Sequence, residues 1–334
     1  MEITKKESTA LKGLCIISIV MHNVLHLLTE ANENEFTFKS DNVTFFYDNF
    51  LDSPFSYIFS FYGWLGVSFF IFISGYGLSV KYGHDNLFSW KWIKQHYLKL
   101  ILLLFPAFLT YLLLILYKNP SYIDYWHIRY FVMEQLLLLN IVHPNLIQPG
   151  VYWYLGLAFQ FYLWFLWLRK LSNKSLILIA LCSCLLVAFV PEKYVSYVRH
   201  NSIGWMPEFI SGMLLARYSH VVIGRYYRYV VLFLCVLFAI LFSLSRHTFF
   251  LSGLCFIGIL LMIREYIAKS KILLYLGGIS ASIYVVHPVI RQIWLDYILP
   301  SYNDFHPLIL TGIILLISIG VSALYHRYIR IQKY

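Results

Sequence analysis

The stretch LKGLCIISIVMHNVLHLL, residues 11–28, decides how the rest of the chain is interpreted. It is apolar enough to form a membrane span, and yet it carries Lys12, His22 and His26. Ionisable side chains are costly in hydrocarbon, so residues of this kind inside a span are candidates for a functional site. We therefore expect this first span to hold the chemistry of the protein.

The composition of the whole chain places this stretch in a polytopic helical membrane protein. Of the 334 residues, 60% are hydrophobic and only 13% are charged, and the mean hydropathy is +0.68. The apolar runs are too long for the strands of a transmembrane barrel, so the predicted fold class is all-α. The net charge of +10 comes from Lys and Arg scattered over short loops. This pattern is typical of the loop charges that set the orientation of a membrane protein. The lipid bilayer is therefore the expected partner, and nucleic acid is not expected to bind.

Hydropathy predicts about ten spans of roughly 20 residues in a single membrane domain that covers the chain, residues 1–334. The predicted spans lie near residues 10–29, 57–80, 97–117, 150–168, 175–190, 203–218, 229–244, 248–263, 272–290 and 307–326. Residues 131–142 form a further apolar piece, which is shorter than the roughly 17 residues needed to cross. The positive-inside rule fits about ten crossings with both termini in the cytoplasm only if this piece does not cross. Residues 131–142 are therefore predicted to be a re-entrant or surface-lying helix.

The polar residues of the first span are arranged along one side of a helix. Because an α-helix turns by about 100° per residue, Lys12, Ile19, Asn23 and His26 share a stripe, and His22 lies beside it. The stripe carries a cation at its cytoplasmic end and imidazoles further out. A neutral imidazole can accept the proton of a hydroxyl near physiological pH, which makes His22 and His26 candidate general bases. A hydrogen-bonded pair of packing histidines is the alternative.

Five stretches of the chain together resemble one known family. LKGLCIISIVMHN looks like the first-helix motif of the acyltransferase 3 family of integral membrane O-acyltransferases, in which a basic residue and Gly open the helix and a His follows about three turns later. Four later stretches resemble this family in the right order: FFIFISGYGLSVKY (69–82), VYWYLGLAFQFYLWFLWL (151–168), MPEFISGMLLARY (206–218) and LGGISASIYVVHPVI (276–290). The resemblance covers nearly the whole chain.

The resemblance implies an activity, a donor and an acceptor. It implies transfer of an acyl group, usually acetyl from cytoplasmic acetyl-coenzyme A, to a hydroxyl of a cell-surface glycan or lipid-linked saccharide. It also implies a multi-pass protein of the bacterial cell membrane, and acetyl-coenzyme A is expected as a substrate and not as a tightly bound cofactor.

Carried over by position, the resemblance makes Lys12 the basic residue that opens the helix and His22 the catalytic histidine. Lys12 is counted with the catalytic residues, with a predicted role in orienting the pantetheine or phosphate end of the coenzyme or in polarising the thioester carbonyl. Family members commonly place the histidine eleven residues after the basic residue, whereas here Asn23 stands at that position and His22 precedes it. A shift of one residue rotates a side chain by about 100° around the helix. His26 therefore stays open as an alternative catalytic residue.

The resemblance also points to a coenzyme site at the start of the third span. In place of the family's Arg-x-x-Arg element, this chain has Lys94, His96 and Lys99. Lys binds phosphate as a point charge and lacks the bidentate fork of Arg. The three residues are predicted to bind the phosphates of the coenzyme, and ordinary positive-inside charge is the alternative explanation.

Four residues of later spans are predicted to contact the acceptor. Aromatic faces suit sugar rings, which favours Trp153 and Tyr154, although an interfacial aromatic belt would explain the same residues. Glu208 lies in the first turn of its span, where the helix dipole also favours a carboxylate. His287 precedes Pro288, which tends to kink a helix, and a structural histidine at a helix end near the outer interface is the alternative.

Other classes of function stay open. The ionisable stripe would also suit a transporter or exporter, although paired spans broken by Gly or Pro in two matching halves are not evident. A non-catalytic scaffold is a third possibility. No His/Cys spacing typical of a metal site occurs in the sequence, so no metal is predicted. The sequence leaves open whether transfer is direct or passes through an acyl-histidine, and whether the group is acetyl or longer.

Overall fold

The computed structural model describes residues 2–29, 34–83, 90–118, 136–138, 150–218, 224–298 and 306–331. These residues form helices and turns, with no β-strand among them, which confirms the all-α prediction. The helices, in chain order, are α1 (Lys5–Leu28), α2 (Ser40–Asn49), α3 (Pro54–Tyr62), α4 (Leu65–Tyr82), α5 (Trp90–Lys118), α6 (Trp153–Leu168), α7 (Asn173–Phe189), α8 (Glu192–Arg199), α9 (Met206–Arg217), α10 (Arg225–Ser243), α11 (Ser252–Ile267), α12 (Lys271–Gly278), α13 (Ser280–Ile293) and α14 (Pro307–Ile331).

The apolar helices agree with the predicted multi-pass membrane protein. Within the described part of the chain, seven helices are long and apolar enough to cross a membrane: α1, α4, α5, α6, α10, α11 and α14. The pair α12 and α13 is an eighth candidate and is bent by 76°. Two predicted spans are shorter, since α7 has 17 residues and α9 has 12. A multi-pass membrane protein is supported, whereas the count of ten and the cytoplasmic termini stay predictions.

Two further predictions concern particular segments. The predicted span near residues 57–80 is divided into α3 and α4, because the helix stops at Tyr62 and restarts at Leu65. The predicted re-entrant or surface helix at 131–142 lies outside the described residues, apart from 136–138.

The helix α1 begins at a capping box. The N–H of Glu7 donates to Oγ1 of Thr4 (3.2 Å), and the N–H of Thr4 donates to Oε2 of Glu7 (2.8 Å). This arrangement satisfies backbone donors that the first turn of a helix leaves unpaired. The start of α1 is also fixed to α11, because Oε1 of Glu7 lies 3.2 Å from Nε of the buried Arg264.

The start and the end of α1 define two opposite sides of the helix bundle. The proximal side contains the ion pair of Glu7 and Arg264. On the distal side, Nη1 of Arg291 in α13 donates to the carbonyl oxygen of Asn23 (2.9 Å). The positive-inside rule predicts that the proximal side faces the cytoplasm.

Glycines bring α1 very close to its neighbours. A Cβ atom at Gly13 would overlap the carbonyl oxygen of Leu273 in α12, and one at Gly277 would overlap that of Thr9. Small residues of this kind allow helix backbones in a membrane to approach each other and pack closely. The same helix contacts α3 and α4 on another face, so α1 lies in the interior of the bundle.

Candidate active site

His22 is buried in the distal half of α1, and another helix holds its ring. Its side chain is 2% exposed. Nδ1 lies 2.9 Å from the carbonyl oxygen of Ser60, which belongs to the last turn of α3. The carbonyls of a last helical turn have no partner within the helix, so Ser60 is able to accept this hydrogen bond.

The contact with Ser60 determines the tautomer of His22. A carbonyl oxygen only accepts hydrogen bonds, so Nδ1 carries the proton and donates it. In the neutral imidazole Nε2 then holds the lone pair, which is the form a general base needs.

Gly63 makes the approach of α3 to His22 possible. A Cβ atom at this position would lie 2.6 Å from Cβ of His22 and 2.8 Å from the carbonyl oxygen of Ser18. The hydroxyl of Ser18 donates to the carbonyl oxygen of Gly63 (3.1 Å). The break between α3 and α4 therefore packs directly against the turn of α1 that carries His22.

His26 lies next to His22 but is held differently. The two rings stack with their centroids 5.1 Å apart and an interplanar angle of 27°. Nδ1 of His26 donates to the carbonyl oxygen of His22 in its own helix (2.8 Å), and the side chain is half-buried. The structure thus brings both candidate bases together. Nδ1 of His22 bonds to a second helix, whereas Nδ1 of His26 bonds within α1.

Lys12 is distant from the two histidines. It lies ten residues before His22 on the same helix, which corresponds to about 15 Å along the axis at 1.5 Å per residue. Its side chain is partly buried toward the proximal side. Lys12 is therefore too far from His22 to touch the same reacting group, and its predicted role stays a prediction.

The three residues predicted to bind the coenzyme lie on α5 and point in different directions. Lys94 and Lys99 are exposed, whereas His96 is only 6% exposed. The ring of His96 packs on Trp92 (centroids 3.9 Å apart) and Tyr162 (4.6 Å). Exposed amines are free to meet phosphates from solvent, while His96 is enclosed among aromatic side chains.

The predicted acceptor residues Trp153 and Tyr154 lie at the start of α6. Trp153 is buried and stacks on Trp205, with centroids 5.7 Å apart. Tyr154 is half-buried and meets Tyr284 edge-on at 5.4 Å. Trp153 therefore belongs to a packed aromatic cluster, and Tyr154 is the more accessible of the two.

Glu208 is enclosed between three helices in the first turn of α9. Its side chain is 1% exposed, and Ser68 of α4 beside it is fully buried. A Cβ atom at Gly253 of α11 would lie 2.9 Å from Oε1 of Glu208. The carboxyl group therefore sits in a confined space inside the bundle.

His287 is fully buried in α13. Nδ1 donates to the carbonyl oxygen of Ile283 one turn earlier (3.0 Å). Within the described part of the chain, Nε2 is buried and has no hydrogen-bond partner. The acceptor role predicted for His287 is not tested by these contacts.

The sequence model of an acyltransferase domain, the acyltransferase 3 family, matches residues 6–327, which is nearly the whole chain. The chain belongs to this family. It shows no significant match to a curated protein or to a solved structure.

Membership of the acyltransferase 3 family confirms the resemblance that the five motifs indicated, and it makes this membrane protein an acyltransferase. The matched region contains α1 with its two histidines as well as α13 with His287. The donor, the acceptor and the catalytic residue belong to the proposal below.

Two residues of this acyltransferase that the sequence analysis left out form a second buried cluster on the distal side. The guanidinium of Arg199 lies 3.5 Å above the ring of Trp205. Its Nε donates to the carbonyl oxygen of Glu35 (3.0 Å) and its Nη1 to that of Gly204 (2.9 Å). The sequence signal was weak, namely an arginine six residues before a tryptophan.

His200 is the second residue of this cluster. Its ring stacks on Phe36 with centroids 3.9 Å apart, and it lies after the end of α8, outside the spanning helices. Burial lowers the pKa of His200 to about 4, and the charge of Arg199 acts in the same direction. The imidazole is therefore neutral at physiological pH, and it packs as an aromatic ring that holds residues 34–38 against α8.

Proposed function

We propose that this acyltransferase moves an acetyl group from cytoplasmic acetyl-coenzyme A to a hydroxyl of a cell-surface glycan or a lipid-linked saccharide, with His22 as the general base. The observation that carries the proposal is the bond from Nδ1 of His22 to the carbonyl oxygen of Ser60 (2.9 Å). It fixes the ring through a second helix and leaves Nε2 with the lone pair.

The proposed chemistry follows from that lone pair. Nε2 of His22 takes the proton of the acceptor hydroxyl while the hydroxyl oxygen attacks the thioester carbonyl. The carbon–sulfur bond breaks, an ester forms, and the leaving thiolate receives the proton from the imidazolium. The same atom is also suited to form an acyl-histidine first, in which case the acceptor attacks this intermediate.

The proposed donor site lies at the proximal end of α5, where the exposed amines of Lys94 and Lys99 would contact the coenzyme phosphates. His96 supports this end of the helix by packing on Trp92. The proposed acceptor approaches from the distal side, near Tyr154 and His287. Both substrates would then meet at α1, whose start faces the proximal side and whose histidines lie toward the distal side.

The proposal is tested by mass spectrometry of surface glycans and glycolipids from cells with and without the protein. A mass difference of one acetyl group on a saccharide hydroxyl is expected. This result would identify both the transferred group and the acceptor. A difference of a longer acyl group would correct the donor. Identical glycans in both strains, together with solute flux in proteoliposomes without consumption of thioester, would support the transporter alternative and contradict the proposal.

A further inference from the structure

The helix α13 carries two buried polar side chains one turn apart whose hydrogen-bonding capacity is not used up. His287 is fully buried and Arg291 is 8% exposed. Residues four apart share one face of a helix, so their side chains border the same space. Arg291 lies close to α1, because its Nη1 donates to the carbonyl oxygen of Asn23, the residue after His22.

The charge of Arg291 is not compensated by a carboxylate in the described part of the chain. Its hydrogen bond there goes to the backbone of Asn23 (2.9 Å), and its Nε is buried with no partner. Buried charges in proteins are normally paired, because an unpaired one is strongly penalised by desolvation. The buried Arg264 illustrates the usual case, since its Nε lies 3.2 Å from Oε1 of Glu7.

His287 offers the complementary chemistry. Because Nδ1 donates to the carbonyl oxygen of Ile283, Nε2 holds a lone pair in the neutral ring and can accept a hydrogen bond. Within the described residues no donor reaches this atom. A ligand that satisfies both side chains needs an anionic oxygen for Arg291 and a hydroxyl for His287.

Two hydrogen bonds hold α13, the helix that carries both side chains, against the segment before α6. The hydroxyl of Tyr152, in the turn before α6, donates to the carbonyl oxygen of Val285 in α13 (2.5 Å). The hydroxyl of Tyr284 donates in the opposite direction, to the carbonyl oxygen of Val151. These reciprocal bonds fasten α13 to the start of α6, next to the predicted acceptor residue Tyr154.

We propose that Arg291 and His287 form a subsite for an acidic acceptor, a saccharide that carries a carboxylate or a phosphate beside its hydroxyls. This inference rests on the proposed function and names the substrate class. The guanidinium pairs with the anionic group, and Nε2 of His287 accepts a hydrogen bond from a neighbouring hydroxyl. The coenzyme phosphates are not the ligand of this subsite, because Arg291 lies on the distal side and α5 starts on the proximal side.

The test measures thermal unfolding of the purified full-length protein in detergent, without acetyl-coenzyme A. The probes are D-glucuronate and glucose 1-phosphate, with D-glucose as the neutral control of the same ring size. An anionic probe at about ten times its Kd is expected to raise the Tm by about 2–4 °C, whereas glucose at the same concentration leaves it unchanged. Equal shifts with glucose, or no shift with either anionic probe, would overturn the inference.

Variants assign the binding to the subsite. Arg291→Gln is expected to abolish the shift, and Arg291→Lys to keep part of it, since the charge is retained. His287→Gln is expected to reduce it. The matched control is Arg246→Gln, because Nη2 of Arg246 also donates to a backbone carbonyl on the distal side, that of Val190 (2.8 Å), and lies outside the subsite. If folded Arg291→Gln protein keeps the full rise in Tm, or if the Arg246→Gln control loses it to the same extent, the assignment of binding to Arg291 and His287 is contradicted.

The binding test separates this inference from the proposed function. Charge-selective binding that depends on Arg291, in a protein without acetyl transfer, would retain the subsite and reject the reaction. Acetyl transfer to neutral saccharides without charge-selective binding would retain the reaction and reject the subsite.

Discussion

His22 and His96 are both buried histidines in long apolar helices, and they are held in opposite ways. Nδ1 of His22 donates to the carbonyl oxygen of Ser60 in another helix. Nδ1 of His96 donates to the carbonyl oxygen of Trp92 in its own helix, and its ring is covered by aromatic side chains. Burial alone therefore does not identify a catalytic histidine. A ring that a second helix orients has its other nitrogen fixed relative to the rest of the bundle.

The first prediction tests this contrast directly and has the largest expected effect. We expect His22→Ala to lower kcat for acetyl transfer by about 10²–10⁴-fold, because the general base is lost. His96→Ala is expected to lower kcat less than tenfold and mainly to weaken packing around Trp92. Rates of coenzyme A release by the purified variants in the presence of acceptor measure both. An equal loss of kcat in the two variants would contradict the assignment of different roles to the two histidines.

The second prediction displaces the helix that holds His22. A Cβ at Gly63 would come within 2.6 Å of Cβ of His22, so Gly63→Ala is expected to push α3 away and lower kcat by about tenfold or more. Overpacking is also expected to cost about 1–3 kcal/mol of stability. The matched control is Gly77→Ala in α4, since a Cβ there meets no heavy atom within 4 Å. Unchanged kcat in Gly63→Ala protein would show that the position of α3 does not matter.

The third prediction concerns the exposed lysines on either side of His96 in α5. Replacing Lys94 and Lys99 together with Gln is expected to raise KM for acetyl-coenzyme A by about three- to tenfold at low salt, with little change in kcat. Lys193→Gln, an exposed lysine of α8, is the control. Added salt is expected to raise KM of the wild type toward that of the double variant. A KM that responds to neither change would assign the two lysines to membrane orientation.

The fourth prediction uses a third histidine and has the smallest effect. The pKa of His200 is lowered to about 4 by burial, whereas an unfolded histidine titrates near 6.5. Below pH 6.5 the unfolded chain therefore binds a proton that the folded chain excludes, so stability falls as the pH drops from 6.5 toward 4. At pH 5.5 the loss is about 1 kcal/mol. In His200→Phe protein the Tm is expected to fall less between pH 7 and pH 5.5, and an equal fall in both proteins would contradict this.

The sequence predicted the features that depend on local pattern. The apolar run and the spacing of Lys12, His22 and His26 placed two imidazoles on neighbouring faces of one helix, and the structure stacks their rings. The break at Gly63 was missed, because the apolar run from residue 57 to 80 is continuous and a single glycine is tolerated within a span.

The two buried arginines of the distal side, Arg199 and Arg291, show why contacts between distant parts of the chain could not be predicted from the sequence. The positive-inside rule counts charges in loops, so it does not distinguish buried arginines such as Arg199 and Arg291 from solvated ones. Each donates to a backbone carbonyl far away in the sequence, Arg199 to that of Glu35, 164 residues away, and Arg291 to that of Asn23, 268 residues away. Contacts at such separations have no signature in a single sequence.

We propose His22, and not His26, as the base of acetyl transfer. The most direct measurement is the rate of acetyl ester formation by purified His22→Ala and His26→Ala variants that are matched in expression and Tm. The predicted result is loss of about 10²-fold or more in the His22 variant, with the His26 variant within about tenfold of the wild type. Full activity in the His22 variant, or the larger loss in the His26 variant, would contradict the claim.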